Sequence, residues 1–96
     1  MAKEPCVYIL TNRRHTVLYT GVTSNIARRV QQHKEGCGSA FTRRYNVTKL
    51  VFVEWLPTIE EAIAAEKQIK AGSRAKKIAR IDEMNPEWRD LAEDLW

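Results

Sequence analysis

Residues 17–33, VLYTGVTSNIARRVQQH, constrain the fold of this chain more than any other stretch. They read as a short strand from Val17 to Gly21, a turn rich in cap residues (Thr23, Ser24, Asn25), and then a helix. On that helix Arg29 and His33 stand four residues apart on one face and border the apolar line through Ile26 and Val30. Arg28, Gln31 and Gln32 fall on the other side. Arg29 and His33 are therefore expected to lean toward the body of the domain, with Arg28 in water. An inward-leaning guanidinium needs an anionic partner, because unpaired buried charge is costly.

The preceding residues 6–10, CVYIL, read as a first strand, with Asn12 to His15 as the connecting turn. Pairing across that turn predicts Tyr8 opposite Tyr19, with both rings on one face of the hairpin. The first helix is expected over Asn25 to Glu35, stopping before Gly36 and Gly38. Residues 36–46, GCGSAFTRRYN, read as a glycine-bearing, basic and aromatic loop. In it Phe41, Arg43, Arg44 and Tyr45 either contact phosphates and stack on bases, or form an aromatic lid with solvated arginines. KLVFVEWL (49–56) is the clearest strand and Pro57 ends it.

Thr58 and Glu61 form a capping box that opens a second long helix, which ends at Gly72. Ser73 caps a third, from Arg74 to about Met84. The third helix is expected to carry Lys76, Lys77 and Arg80 on one side and Ala75, Ile78, Ala79 and Asp82 on the other. Asn85-Pro86 breaks it. Trp88, Leu91 and Leu95 then recur at helical spacing, so the tail should dock by an apolar stripe, and Trp88 and Trp96 argue against a floppy end.

Ninety-six residues make one small domain, and 44% hydrophobic with 29% charged residues excludes a disordered chain. Two cysteines, Cys6 and Cys37, lack zinc spacing and read as free thiols in a reducing compartment. A catalytic pairing of either with His33 is the lesser alternative. No apolar run is long enough for a bilayer span and MAKEPC lacks a signal core, so a soluble cytoplasmic protein is expected. Residues 1–81 carry 15 Lys/Arg against 6 Asp/Glu, whereas residues 82–96 carry one Arg against 6 acids. The body should attract polyanions and bear an acidic appendage.

On the second long helix Ile59, Ala62, Ile63 and Ile69 define the expected buried stripe, and Glu66 falls inside it. A carboxylate there must bind a cation, pair (Arg29 is the obvious partner), or line a cleft. Mg²⁺ suits such a place, since it takes one or two protein carboxylates and fills its shell with water and substrate phosphate.

The ordered set Cys6-Val7-Tyr8, Tyr19-Thr20-Gly21, Arg29, His33 and Glu66 resembles the GIY-YIG endonuclease superfamily, in particular its small stand-alone members. The resemblance covers about residues 5–80. Cys6 departs from the first glycine of the name-giving triplet, and Thr20 from an apolar residue. The resemblance implies an α+β fold, a small three-stranded antiparallel sheet flanked by helices in the order β-β-α-β-α-α. Residues 4–81 would form the nuclease-like domain and residues 82–96 an acidic, Trp-containing tail packed on it.

It further implies metal-dependent hydrolysis of DNA, or RNA, phosphodiesters, directed by structure, damage or single-strandedness rather than by sequence. Glu66 would hold Mg²⁺ or Mn²⁺, Arg29 would clamp a phosphate oxygen, and Tyr19 beside Tyr8 would orient or deprotonate water. His33 would relay the proton, and Gly21 would let backbone and substrate approach closely. Arg43, Arg44, Lys76 and Lys77 are the expected nucleic-acid contacts. Family members often carry a late Asn near the site, and Asn85 is the only one after the second long helix. The rival readings are a non-catalytic nucleic-acid-binding module that keeps the fold, and a protein-interaction domain using the acidic tail.

Overall fold

A computed structural model describes residues 4–95; Trp96 lies outside the described residues. Strands β1 (Cys6–Thr11) and β2 (Leu18–Thr23) lead into helix α1 (Ile26–Lys34) and a short helix α2 (Ala40–Arg44). Strand β3 (Lys49–Trp55) follows, then helices α3 (Ile59–Ala71) and α4 (Arg74–Met84) and a final 3-10 turn over Leu91–Asp94. The sheet is antiparallel in the order β2-β1-β3. This is the expected α+β arrangement of hairpin, helix, strand and two helices, with α2 as an addition inside residues 36–46.

Alternation along β1 divides the core in two. Cys6, Tyr8 and Leu10 face α1 together with Ile26, Val30, Val47, Leu50 and Val53. Val7 and Ile9 face the other way, onto Ile69 of α3 and Ile81 of α4. β1 is buried along its whole length because it is the central strand, covered on both faces.

Local chemistry sets the helix ends. The side chains of Asn25, Ser39, Thr58 and Ser73 each accept a backbone N–H from the first turn of α1, α2, α3 and α4. Gly36, at φ +77°, takes the left-handed position just beyond α1, where a side chain would be strained. Because Ser39 supplies a cap three residues before Thr42, the Gly-rich stretch nucleates a helix where its composition predicted only a loop.

Two amphipathic expectations need correction. On α3, Ala62 and Ile69 are buried but Ile59 and Ile63 are exposed. The small Ala62 and Ala65 let α3 approach the sheet on their own line, which rotates the isoleucines off the interface. On α4, Ala75 and Ala79 are exposed, Lys77 and Ile78 are half-buried, and Ile81 alone is fully buried.

The tail packs on the domain but not as one helix. It wraps the outer edge of β3: Trp88 packs on the α3/α4 face, and Leu91 and Leu95 pack on the α1 face. β3 carries a bulge at Val51, between Leu50, which pairs Leu10, and Phe52, which pairs Ile9. The tail satisfies the freed backbone there. Asn85 Nδ2 donates to Val51 O (3.2 Å) and Leu50 N donates to Asp90 Oδ1 (3.2 Å). Asp90 also receives Lys34 Nζ at 2.8 Å, tying the tail to α1.

Candidate active site

The hairpin register differs from the expected one. Tyr8 pairs Gly21, and Tyr19 pairs Leu10. The connection runs from Asn12 to Val17 rather than to His15, braced by Asn12 Oδ1, which accepts from Thr16 N (2.8 Å) and Val17 N (3.1 Å). Two extra loop residues shift the pairing by an even step, so both tyrosines keep the α1 face. Their rings are diagonal neighbours, centroids 6.4 Å apart.

Gly21 is needed because Tyr8 crosses it. A Cβ built there would stand 2.5 Å from both Cζ and Oη of Tyr8. The close approach that the glycine permits is thus of Tyr8's ring, where substrate and backbone were expected.

The Tyr8 hydroxyl is the hub. Arg29 Nη1 lies 3.5 Å from Tyr8 Oη, and His33 Nε2 lies 3.4 Å from it. Tyr8 and His33 are buried, Arg29 is half-buried, and Arg28 is exposed, as the helix face predicted. The other imidazole nitrogen, Nδ1, meets Thr42 Oγ1 at 3.1 Å. Thr42 Oγ1 donates its proton to Ser39 O at 3.0 Å, so toward His33 it can only accept. This pattern assigns the proton to Nδ1 and leaves Nε2 with a lone pair facing the phenol. Both ring nitrogens are therefore engaged, and neither Cys6 nor Cys37 pairs with His33.

The electrostatics agree with neutral groups. Burial lowers the His33 pKa below the ordinary imidazole range, and the Arg29 charge lowers it further. Burial pushes the Tyr8 phenol up to about 12, against the pull of Arg29. Tyr8 thus stays protonated at neutral pH and donates to His33 Nε2.

Three residues that sequence reading missed hold this imidazole: Gly38, Ser39 and Thr42. A Cβ at Gly38 would collide with the His33 ring and lie 2.9 Å from Thr42 Oγ1. The signal was present as a Ser-x-x-Thr cap after a glycine, but its link to His33 is tertiary.

Tyr19 begins an aromatic row that leads outward. Its ring is 5.7 Å from His33 and 6.2 Å from Phe41, and Phe41 is 4.9 Å from Tyr45. Phe41 and Tyr45 are 44% and 41% exposed, so this is a surface row and not a closed lid. The Arg44 guanidinium lies over the Tyr45 ring at 5.5 Å, and Arg43 is exposed beside it.

Glu66 stands on the flank of the α3 stripe. Its side chain is 16% exposed, and among the described residues its ion-pair partner is Lys70, at 3.3 Å, rather than Arg29. α3 packs on the sheet face opposite the one that carries Tyr8 and α1. No hydrogen bond or ion pair among the described residues joins Glu66 to Tyr8, Tyr19, Arg29 or His33. Lys76 and Lys77 lie on α4, also on that far side. Asn85 is buried at the β3 bulge, its amide spent on Val51 O, Arg89 O and Arg89 N. The described residues contain no group of three or more His, Cys, Asp or Glu side chains placed to share a metal, and no helix long and apolar enough to cross a membrane.

A hairpin carrying two tyrosines and a glycine, followed by a helix carrying arginine and histidine against them, defines a class. The GIY-YIG catalytic-domain family model matches residues 4–79, and the chain belongs to that family of nucleases. Among its relatives, a UPF0213 protein of Natronomonas pharaonis is 42% identical over 77 residues, covering 80% of this chain and 89% of that protein. A UPF0213 protein of Syntrophus aciditrophicus is 42% identical over 82 residues, covering 84% and 92%. The solution NMR structure of a UPF0213 protein from Bacillus halodurans is 31% identical and superposes with a TM-score of 0.57, covering 91% of this chain and 92% of that one.

Proposed function

We propose that this protein is a divalent-metal-dependent endonuclease that hydrolyses nucleic-acid phosphodiesters, with DNA as its substrate. The observation that carries the reading is a buried imidazole whose Nδ1 meets Thr42 Oγ1 and whose Nε2 faces the Tyr8 hydroxyl, to which Arg29 also donates. A merely structural histidine has no need of a fixed tautomer with its basic nitrogen turned toward a phenol and a guanidinium.

In this reading the Tyr19 hydroxyl, which has no protein hydrogen-bond partner among the described residues, meets the attacking water. The water oxygen bonds to phosphorus as the ester P–O bond breaks, giving a phosphate monoester and an alkoxide that takes its proton from solvent. The water proton leaves through the phenols to His33 Nε2. Arg29, half-buried beside Tyr8, binds a non-bridging oxygen and stabilises the charge that develops there. Phe41, Tyr45, Arg43 and Arg44 receive the flanking strand.

Glu66 would hold the metal. Its carboxylate is mostly shielded and has one lysine partner on an exposed stem, so it retains acceptor capacity for a hard cation. A bound Mg²⁺ or Mn²⁺ would polarise the scissile phosphate and neutralise the leaving oxygen. One observation favours the rival, a nucleic-acid-binding module without catalysis: Glu66 is already paired with Lys70, on a helix that covers the other sheet face.

The two are separated by incubating single-strand, duplex, flap and junction DNA, and RNA, with Mg²⁺, Mn²⁺ or EDTA. The nuclease reading expects metal-dependent cutting that Glu66→Gln and Arg29→Ala each abolish with the fold intact. Binding without cutting on every substrate would overturn it.

A further inference from the structure

We infer that the cleft between α3 and α4 is a second phosphate-binding site, one that grips the nucleic-acid backbone away from the cleavage site. This rests on the nuclease reading and adds a substrate contact to it. The cleft has a volume of about 270 Å³, and Gln68, Gly72, Lys76, Lys77 and Arg80 are among the residues that line it. Three of these are cations and none is an acid. Among the described residues no ion pair joins Lys76, Lys77 or Arg80 to a carboxylate. Lys77 and Arg80 are half-buried, so their charge is partly removed from water and is not simply solvated cover.

The charge distribution of α4 sharpens this. α3 follows the ordinary rule, with Glu60 and Glu61 in its first turn and Lys70 in its last. α4 reverses it. Arg74, Lys76 and Lys77 crowd its first turn, which has no acid, while its last turn has no base and carries Asp82 and Glu83. Each cation at the positive end of a helix opposes the backbone dipole and weakens the helix. An anion seated in the cleft reverses the sign of that interaction, because it meets both the cations and the positive helix end.

A polyanion that reaches this cleft meets a wall of one sign, whereas a protein partner would need acidic side chains matched to it. The cleft lies on the α3/α4 face and the phenol–imidazole site on the α1 face. A strand seated on the phenol–imidazole side must pass a sheet edge, toward the α3 side that also carries Glu66, to touch the cleft, so the contact belongs to flexible or branched nucleic acid.

The test measures oligonucleotide binding by fluorescence anisotropy in EDTA, across a salt series, for the wild type and the triple variant K76Q/K77Q/R80Q. Circular dichroism and the thermal midpoint check the fold of both. The variant is expected to bind long single strands about tenfold more weakly, with the log–log salt slope shallower by about 2, the release expected from three phosphate contacts. A dinucleotide, which can fill the cleft or the cleavage site but cannot span both, should show a smaller difference between the two proteins than the long strand does. Gln68→Glu, which places one acid in the cleft, should weaken long-strand binding in the same direction. An unchanged slope in the triple variant would overturn the site while leaving cleavage, and so the nuclease reading, untouched. Loss of cleavage on every substrate with the slope change intact would overturn the nuclease reading and leave the site. Chemical shifts at Gly72 that saturate with pyrophosphate alone, and do not respond to the oligonucleotide, would assign the cleft to a free phosphorylated ligand and overturn the backbone contact.

Discussion

The ring of Tyr8 lies across the backbone of Gly21, its partner on the neighbouring strand, so closely that no side chain fits beneath it. This contact aims the Tyr8 hydroxyl over β2 at Arg29 and His33 in place of the strand's own side-chain line. The glycine is thus part of the site through the residue it makes room for.

Gly21→Ala should therefore damage both stability and activity. The added methyl meets Cζ and Oη of a fully buried ring, and overpacking of this kind costs about 1–3 kcal/mol. Urea unfolding measures the loss. Tyr8→Phe should not rescue it, because Cζ itself is one of the clashing atoms. Tyr8→Leu combined with Gly21→Ala should recover part of the stability and none of the activity, and a strictly additive double variant would contradict the contact.

Thr42→Val keeps the shape of the side chain and removes the acceptor for His33 Nδ1–H. A buried donor left without a partner costs about 1–3 kcal/mol. The imidazole is also freed to move its proton to Nε2, which removes the lone pair facing Tyr8. Imidazole ¹⁵N shifts should report Nδ1–H in the wild type and a mixture in the variant. A wild-type spectrum showing Nε2–H would refute the assigned tautomer.

The pH dependence follows from the depressed His33 pKa. The unfolded chain takes up this proton near the ordinary value of about 6.5, whereas the folded chain resists it to lower pH. Stability is therefore complete above that range and falls as the solution is acidified from about 6.5 down to the folded-state pKa. His15, lowered by burial and by Lys49, contributes with the same sign. Thermal midpoints across this range should fall less steeply in His33→Gln than in the wild type. Cleavage should lose its base below the folded His33 pKa, placing the acid limb of the rate profile under the ordinary imidazole range.

Asn85 is predicted to be a structural residue. Asn85→Ala leaves Val51 O, Arg89 O and Arg89 N without their side-chain partner and should loosen the tail from β3. A loss of about 1–3 kcal/mol is expected for the buried groups, with kcat at a permissive temperature little changed. Hydrogen exchange at Leu50 N, which donates to Asp90, should accelerate. A large kcat defect with normal stability would place Asn85 in the chemistry instead.

Some of this was legible in the residues themselves. The caps at Thr58 and Ser73, the break at Gly72 and the inward line of Arg29 and His33 all follow from local rules and are found where those rules put them, and Asn25 is the one of the three candidates Thr23, Ser24 and Asn25 that caps α1. The α2 helix was not legible, because Ser39 caps it within a stretch whose glycines and charges otherwise read as loop. The exposure of Ile59 and Ile63 was not legible either, since periodicity gives a helix's apolar line but not which part of it the sheet will take.

The sequence by itself determined that the hairpin and the longer helices α1, α3 and α4 form, and which face of α1 turns inward, because periodicity, caps and breakers act within a few residues of one another. Tertiary structure alone decided the pairing of Tyr8 with Gly21, the seating of His33 on Gly38 and Thr42, and the side of the sheet from which Glu66 approaches. Each depends on loop length and on what packs across the sheet, and contacts between distant segments leave no periodic trace in either one.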